Sequence, residues 1–169
     1  MLSRLKNRVL ARFFTAFPGM AERWGKRLDV AGGEIPWTVP KKPLRDARIA
    51  LITTGGVHLR SQPPFDMSDR DGDPSFREVP SNAEPAELVI THDYYNHKDA
   101  DDDFNLVLPI ERLRELVSHG VLAGVHNVCF SFMGHIDGPH VKTLTERTAP
   151  EVADKVVKAN LDYALLVPA

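Results

Sequence analysis

Arg48-Ile49-Ala50-Leu51-Ile52-Thr53-Thr54-Gly55-Gly56-Val57-His58-Leu59-Arg60-Ser61-Gln62-Pro63-Pro64-Phe65-Asp66 is the stretch on which the fold turns. It begins with a short, mainly apolar run, Arg48 to Ile52, that reads as one buried strand. Two glycines, a histidine, an arginine and a proline pair follow at once. Ligands of open α/β sheets bind beyond the carboxyl ends of the strands, so this loop is the first place to expect a site.

Working outward, Glu87–Thr91, Val125–Ser131 and Asp162–Val167 read as three further strands. Leu108-Pro109 opens a helix over Ile110, Leu113, Leu116 and Val117, and Gly120 closes it. A second helix starts at Thr148-Ala149-Pro150-Glu151, with Thr148 as its cap and Val152, Val156 and Ala159 as its inner face. Residues 55–86 hold Pro63, Pro64, Pro74, Pro80 and Pro85 without sustained periodicity, and they read as a long functional loop. His92 to Asn105 is a second polar loop. The order predicts an α/β fold, a mostly parallel sheet with flanking helices of the doubly wound type.

At 169 residues and 43% hydrophobic, the chain can bury one ordinary core. A net charge of −2 gives no global push toward nucleic acid or membrane. The charge is uneven, however. Residues 1–28 carry seven Lys/Arg and one Glu, a balance of +6. Residues 66–103 carry twelve Asp/Glu and three Lys/Arg, a balance of −9. One cysteine, Cys129, excludes an internal disulfide, a CxxC pair or a Cys-rich zinc site within these residues. With no signal-peptide pattern and no long apolar run, the expected compartment is the cytoplasm.

Residues 1–30 form a basic amphipathic segment. Leu2, Leu5, Val9, Leu10, Phe13, Phe14 and Phe17 recur at helical spacing among Arg4, Lys6, Arg8 and Arg12, and Pro18-Gly19 stop the run. Such a helix suits an anionic membrane surface or a docking role on its own domain or a partner, and its length favours docking. The stretch 31–43, with Pro36, Pro40 and Pro43, is an extended lead-in.

Each candidate site has a plainer reading beside it. Gly55-Gly56 invites a nucleotide, yet there is no GxGxxG, no helix directly behind and no Walker lysine, so a sharp turn off the strand is sufficient. Arg60 has the chemistry to fix a carboxylate and His58 to move a proton, or both pin the loop onto the acidic segment. Asp66, Asp69, Asp71 and Asp73 fail the EF-hand spacing and read as turn residues. His92, Asp93 and His97 are metal-ligand types, but the two histidines lack the i, i+4 spacing that would join them on a helix. Cys129 reads as a buried hydrophobe. His135 sits just past a strand end, as a catalytic side chain or a solvated loop residue. His119 and His126 read as surface positions.

Several motifs together carry a resemblance. Thr53-Thr54-Gly55-Gly56-Val57-His58, Gln62-Pro63-Pro64-Phe65-Asp66, Gly72-Asp73-Pro74-Ser75-Phe76-Arg77, His92-Asp93-Tyr94-Tyr95 and Phe130-Ser131-Phe132-Met133-Gly134 occur in that order. From about Pro36 to Ala169 the chain resembles the glycine/sarcosine/betaine/D-proline reductase family, selenoprotein B type. The resemblance implies reductive cleavage of a carbon–nitrogen bond next to a carboxylate. A selenolate or thiolate displaces the amine at the α-carbon, and a second thiol resolves the adduct. It further implies a small amino-acid or amine substrate, a thiol or thioredoxin-type electron donor, reductase partner subunits and a possible oligomer, with no cofactor within the chain.

The chain departs from the family pattern at the nucleophile. It has no selenocysteine and no CxxC, and Cys129 does not match the redox position. Compact members, the resemblance implies, carry that pair just after a strand like Tyr163–Pro168. The expectation is therefore an α/β reductase-like domain over residues 31–169, incomplete at its C-terminus, with the redox motif beyond Ala169. Within it Gly55, Gly56, Arg60 and His92 would border the substrate, and His58 and His135 would serve catalysis, with no metal. Two rivals stand beside it. One is a non-catalytic ligand-binding or partner subunit, and the other a metal-dependent hydrolase using His92, Asp93 and His97.

Overall fold

The computed structural model describes residues 2–17, 19–20 and 38–169. The first half of the lead-in read over 31–43 lies outside the described residues. The chain opens with α1 (Leu2–Ala16), followed by β1 (Arg48–Thr53), β2 (Val57–Leu59), β3 (Phe76–Pro80) and β4 (Leu88–Ile90). A short α2 (Lys98–Asp102) precedes α3 (Ile110–Ser118), β5 (Gly124–Val125) and β6 (Val128–Phe132). Then come α4 (Pro139–Thr143), α5 (Ala149–Lys158) and β7 (Tyr163–Val167).

The result is a mixed α/β sheet. Central β1 pairs in parallel with β7 along one side, from Ile49↔Tyr163 to Thr53↔Val167. On its other side it meets β5 at its start and β6 at its end, both parallel. Antiparallel β3 adds to the far side of β6. Successive side chains of a strand alternate between faces. Ile49, Leu51 and Cys129 accordingly join Ile110 and Leu113 of α3 in one core, whereas Phe130 and Phe132 pack with Val152 of α5 in another. Helices thus cover both faces, which is why β1 and β6 are apolar nearly throughout.

The long segment after β1 departs from the sequence reading. It holds β2 and β3, and β2 pairs antiparallel with β4 in a separate two-stranded sheet. β4 is therefore not a strand of the main sheet. β3 gave no periodic signal because only Val79 of its five residues is buried and it ends in Pro80. Pairing with β6, not alternation, makes it a strand.

Thr148 is not a cap. The helix already runs from Pro139 through one π turn, Leu144–Thr148, into α5. Pro150 cannot donate within a helix, and the wider turn absorbs the lost bond. The Thr148 hydroxyl instead donates to the Pro74 carbonyl at 2.8 Å. His126 is half-buried against the Phe130 ring and not on the surface, whereas His119 is exposed.

Helix α1 packs on the domain, but through an unexpected face. Ala11 is buried, whereas Leu5, Val9, Phe13 and Phe17 at i, i+4 spacing are exposed. No helix among the described residues is long and apolar enough to cross a membrane.

Candidate functional site

A cavity of about 630 Å³ opens at the carboxyl ends of the central strands. Its lining comes from the segment after β4 (His92, Tyr94, Tyr95, Asn96), the segment after β6 (Gly134, His135), Ala169 beyond β7, and Leu10, Ala11 and Thr15 of α1. β1 supplies the frame. The Gly55 N–H donates to Thr53 Oγ1 at 2.9 Å, and the Ala169 N–H donates to Thr54 Oγ1 at 3.0 Å.

The two glycines after β1 lie buried beneath this cavity. The Gly55 carbonyl accepts the Tyr95 hydroxyl at 3.1 Å. The Gly56 N–H donates to the Phe132 carbonyl, and its own carbonyl accepts the Thr91 N–H, both at 2.9 Å. Gly56 has φ +69°, and a Cβ there would stand 2.7 Å from the Thr91 carbonyl oxygen. This turn therefore draws the ends of β4 and β6 together. Removing one neutral hydrogen bond costs about 1 kcal/mol. Tyr95→Phe is expected to lower stability by about that amount in urea unfolding, with a negligible change arguing against the Gly55 bond.

His92 is 3% exposed and faces two backbone donors. The Gly134 N–H points at Nε2 at 2.9 Å and the Tyr94 N–H at Nδ1 at 3.2 Å. A neutral ring can accept from one of them, whereas a protonated ring would set N–H against N–H on both sides. Burial, followed by the charges of His135 and His97, pushes its pKa down to about 4. His92 is thus held neutral and edge-on to Tyr95 at 4.7 Å between centroids.

His135 stacks on Tyr94, with centroids 3.8 Å apart and planes 20° apart. Its Nε2–H donates to the Arg70 carbonyl at 2.9 Å, which leaves Nδ1 as the basic nitrogen of the neutral ring. No Lys, Arg, Asp or Glu is among the described residues lining the cavity.

His58 and Arg60 lie elsewhere. His58 is 3% exposed, its Nδ1–H donating to the Leu59 carbonyl and its Nε2 accepting the Thr91 hydroxyl, each at 2.8 Å. Burial, opposed by the bond to Leu59, lowers its pKa. It braces Thr91, the neighbour of His92, and does not border the cavity. Arg60 donates through Nε to the Ala86 carbonyl and opens on a second cavity of about 300 Å³, whose lining includes Asp101, Asp102, Asp103 and Glu111. That surrounding suits a cation better than a substrate carboxylate.

Of the residues read from the sequence, then, Gly55, Gly56, His92 and His135 converge, and His58 and Arg60 do not join them. The reading missed Tyr94, Tyr95, Asn96 and the α1 wall. Two adjacent tyrosines in a polar loop just past a strand end were the available signal. Asp93 and His97, which would have to join His92 in a metal site, point apart: Asp93 pairs with Arg8 and His97 Nδ1 with Asp101, each at 2.8 Å. No group of three His, Cys, Asp or Glu fit for a metal ion occurs among the described residues. Cys129 is fully buried, and burial pushes its thiol up to about 12.

Fold and site thus define an α/β domain with an aromatic, imidazole-bearing cavity at the strand ends. Residues 31–169 match the glycine/sarcosine/betaine reductase selenoprotein B family, and the chain belongs to that family. It is 32% identical over 130 residues to the D-proline reductase subunit gamma of Acetoanaerobium sticklandii, covering 77% of this chain and 52% of that one. It is 28% identical over 134 residues to the glycine reductase complex component B subunit gamma of Symbiobacterium thermophilum, covering 78% of this chain and 30% of the other. The chain therefore spans about half the length of the first relative and under a third of the second. No solved structure matches.

Proposed function

We propose that this chain is the substrate-binding part of a selenol- or thiol-dependent reductase that cleaves the carbon–nitrogen bond of a small amino acid or amine. The observation that carries the reading is the cavity at the ends of β6 and β7, in a member of this family, with His92, Tyr94, Tyr95 and His135 on its walls. Ring faces attract an ammonium group, so the stacked Tyr94–His135 pair suits the nitrogen end of such a substrate. His135, through Nδ1, is the group to exchange a proton with the departing amine. Neutral His92 shapes the pocket and accepts hydrogen bonds.

The chemistry needs a nucleophile that Cys129 cannot supply. A selenolate or thiolate brought to the cavity would form a bond to the α-carbon as the carbon–nitrogen bond breaks, and the amine would leave with the electron pair and take up a proton. A second thiolate would then attack the selenium or sulfur, the carbon fragment would be protonated, and the chalcogen pair would end oxidised. A thiol or thioredoxin-type donor restores it. The family resemblance implies a redox pair just after a strand like β7, and Ala169, two residues beyond β7, is held at the cavity by Thr54.

Calorimetric titration with D-proline, glycine, sarcosine and betaine tests this reading. Saturable heat is expected for at least one of them, weakened about tenfold by His135→Ala, as for loss of an aromatic contact in a binding pocket. No heat from any of the four overturns the reading. The buried, unreactive Cys129 also favours a second reading, a binding subunit without chemistry of its own. Binding without amine release when a dithiol and the partner subunits are supplied would select it.

A further inference from the structure

Helix α1 precedes residues 31–169, the part matched to the family, yet its side chains enter the candidate cavity. Leu10, Ala11 and Thr15 line it opposite His92, Tyr94 and His135. Two observations show how the helix is held. Ala11 is 8% exposed, so the helix sits close against the domain. Arg8 donates through Nε to Asp93 Oδ1 at 2.8 Å, and the Asp93 side chain is only 2% exposed. A carboxylate so buried needs a counter-charge, and Arg8 supplies one from α1. Asp93 directly follows His92, so the latch grips the same segment that builds the cavity.

We propose that α1 is the ligand-selecting wall of this cavity, latched by Arg8 and Asp93, with Ala11 and Thr15 setting the size of ligand admitted. Ala11 and Thr15 stand one turn apart on one face, where small side chains leave room that a larger residue would fill. The charge distribution agrees. Arg8 meets Asp93 of the acidic stretch between residues 66 and 103, and Arg12 lines a shallow cleft with His97, Lys98 and Asp101. The wall would open when the latch is broken and narrow when its small residues are enlarged. The choice of ligand rests on the binding role proposed above, whereas the position of the wall does not.

The first test therefore needs no ligand. In the full chain, diethyl pyrocarbonate acylates accessible neutral imidazoles, and peptide mass spectrometry reads each histidine separately. Arg8→Ala is expected to speed acylation of His135 about tenfold, by raising the open population, while exposed His119 keeps its rate. Because Arg8→Ala leaves the 2%-exposed Asp93 carboxylate without that counter-charge, the double variant Arg8→Ala/Asp93→Asn, which strands no charge, is expected to speed His135 acylation to the same extent. Equal His135 rates in the unaltered chain and the double variant overturn the proposal. The second test uses D-proline as probe. Thr15→Trp is expected to slow His135 acylation and to weaken D-proline binding about tenfold, as for a side chain filling the pocket. Unchanged acylation and unchanged binding in Thr15→Trp overturn it. If His135 responds as expected in both variants while the unaltered chain fails to bind D-proline, the wall is upheld and the substrate reading falls separately.

Discussion

Gly72→Ala is expected to lower stability by about 3–5 kcal/mol, the range of severe backbone strain combined with overlap. Gly72 has φ +90°, and a Cβ there would fall inside the His135 carbonyl oxygen. Backbone stands on both sides of the overlap, so no side-chain rotation relieves it. Gly72 also bridges Ile136, and the Asp137 N–H donates to the Asp71 carbonyl at 2.8 Å. The two segments are thus tied together directly beside His135. Any retreat shifts His135 and its stack on Tyr94, so the surviving protein should also lose ligand binding. Gly120→Ala is the control. Gly120 has φ +68° but nothing within 4 Å of its Cβ position, and alanine there should cost only about 1–2 kcal/mol. Urea midpoints of the two variants decide the matter. A Gly72 variant no less stable than the Gly120 one would show that the close approach to His135 does not exist.

The second large effect is on pH dependence. His92 has an ordinary pKa of 6.5 in the unfolded chain and about 4 in the fold, lowered first by burial. Above pH 6.5 both states are neutral and the group contributes nothing. As pH falls from 6.5 toward 4 the unfolded state takes up the proton and the folded state does not, so stability rises with pH across this window. A shift of that size corresponds to about 3 kcal/mol lost between pH 7 and pH 4. His58 and His126 are also lowered by burial and act with the same sign. The His92 share is isolated by His92→Asn, whose stability between pH 7 and pH 4 should fall by about 3 kcal/mol less than that of the unaltered chain. Parallel profiles would mean that His92 protonates freely in the folded protein. Above pH 6.5 the cavity should keep its shape, with neutral His92 accepting hydrogen bonds.

The sequence and the structure agree best where burial is two-sided or strictly periodic. β1, β6 and β7 are legible because an apolar run flanked by turn residues has few other uses, and α3 is legible from Ile110, Leu113 and Val117. β3 was not legible, because an edge strand with one buried residue leaves no alternation to read. Thr148 misled because Ala149-Pro150 resembles a helix start, although the chain had been helical since Pro139. Of the candidate site residues, His92 and His135 stand on the cavity walls with Gly55 and Gly56 beneath, each just past a strand end. His58 and Arg60 lie elsewhere, since β2 and β4 pair with each other and carry those side chains away from the cavity.

By itself, then, the sequence determined the α/β order, the family and the strand ends at which a site could lie. Local spacing reports which side chains avoid water, and that is enough to mark elements and their exits. Only the tertiary structure decided which exits meet. β1 and β7 lie far apart in the chain and are locked in register by contacts such as the Arg48 N–H on Asp162 Oδ2 at 2.9 Å. Helix α1 reaches the cavity across 85 residues through Arg8 and Asp93. Convergence of this kind depends on register between distant segments and on the positive φ of glycine at two turns, and neither leaves a trace in any local period of the sequence.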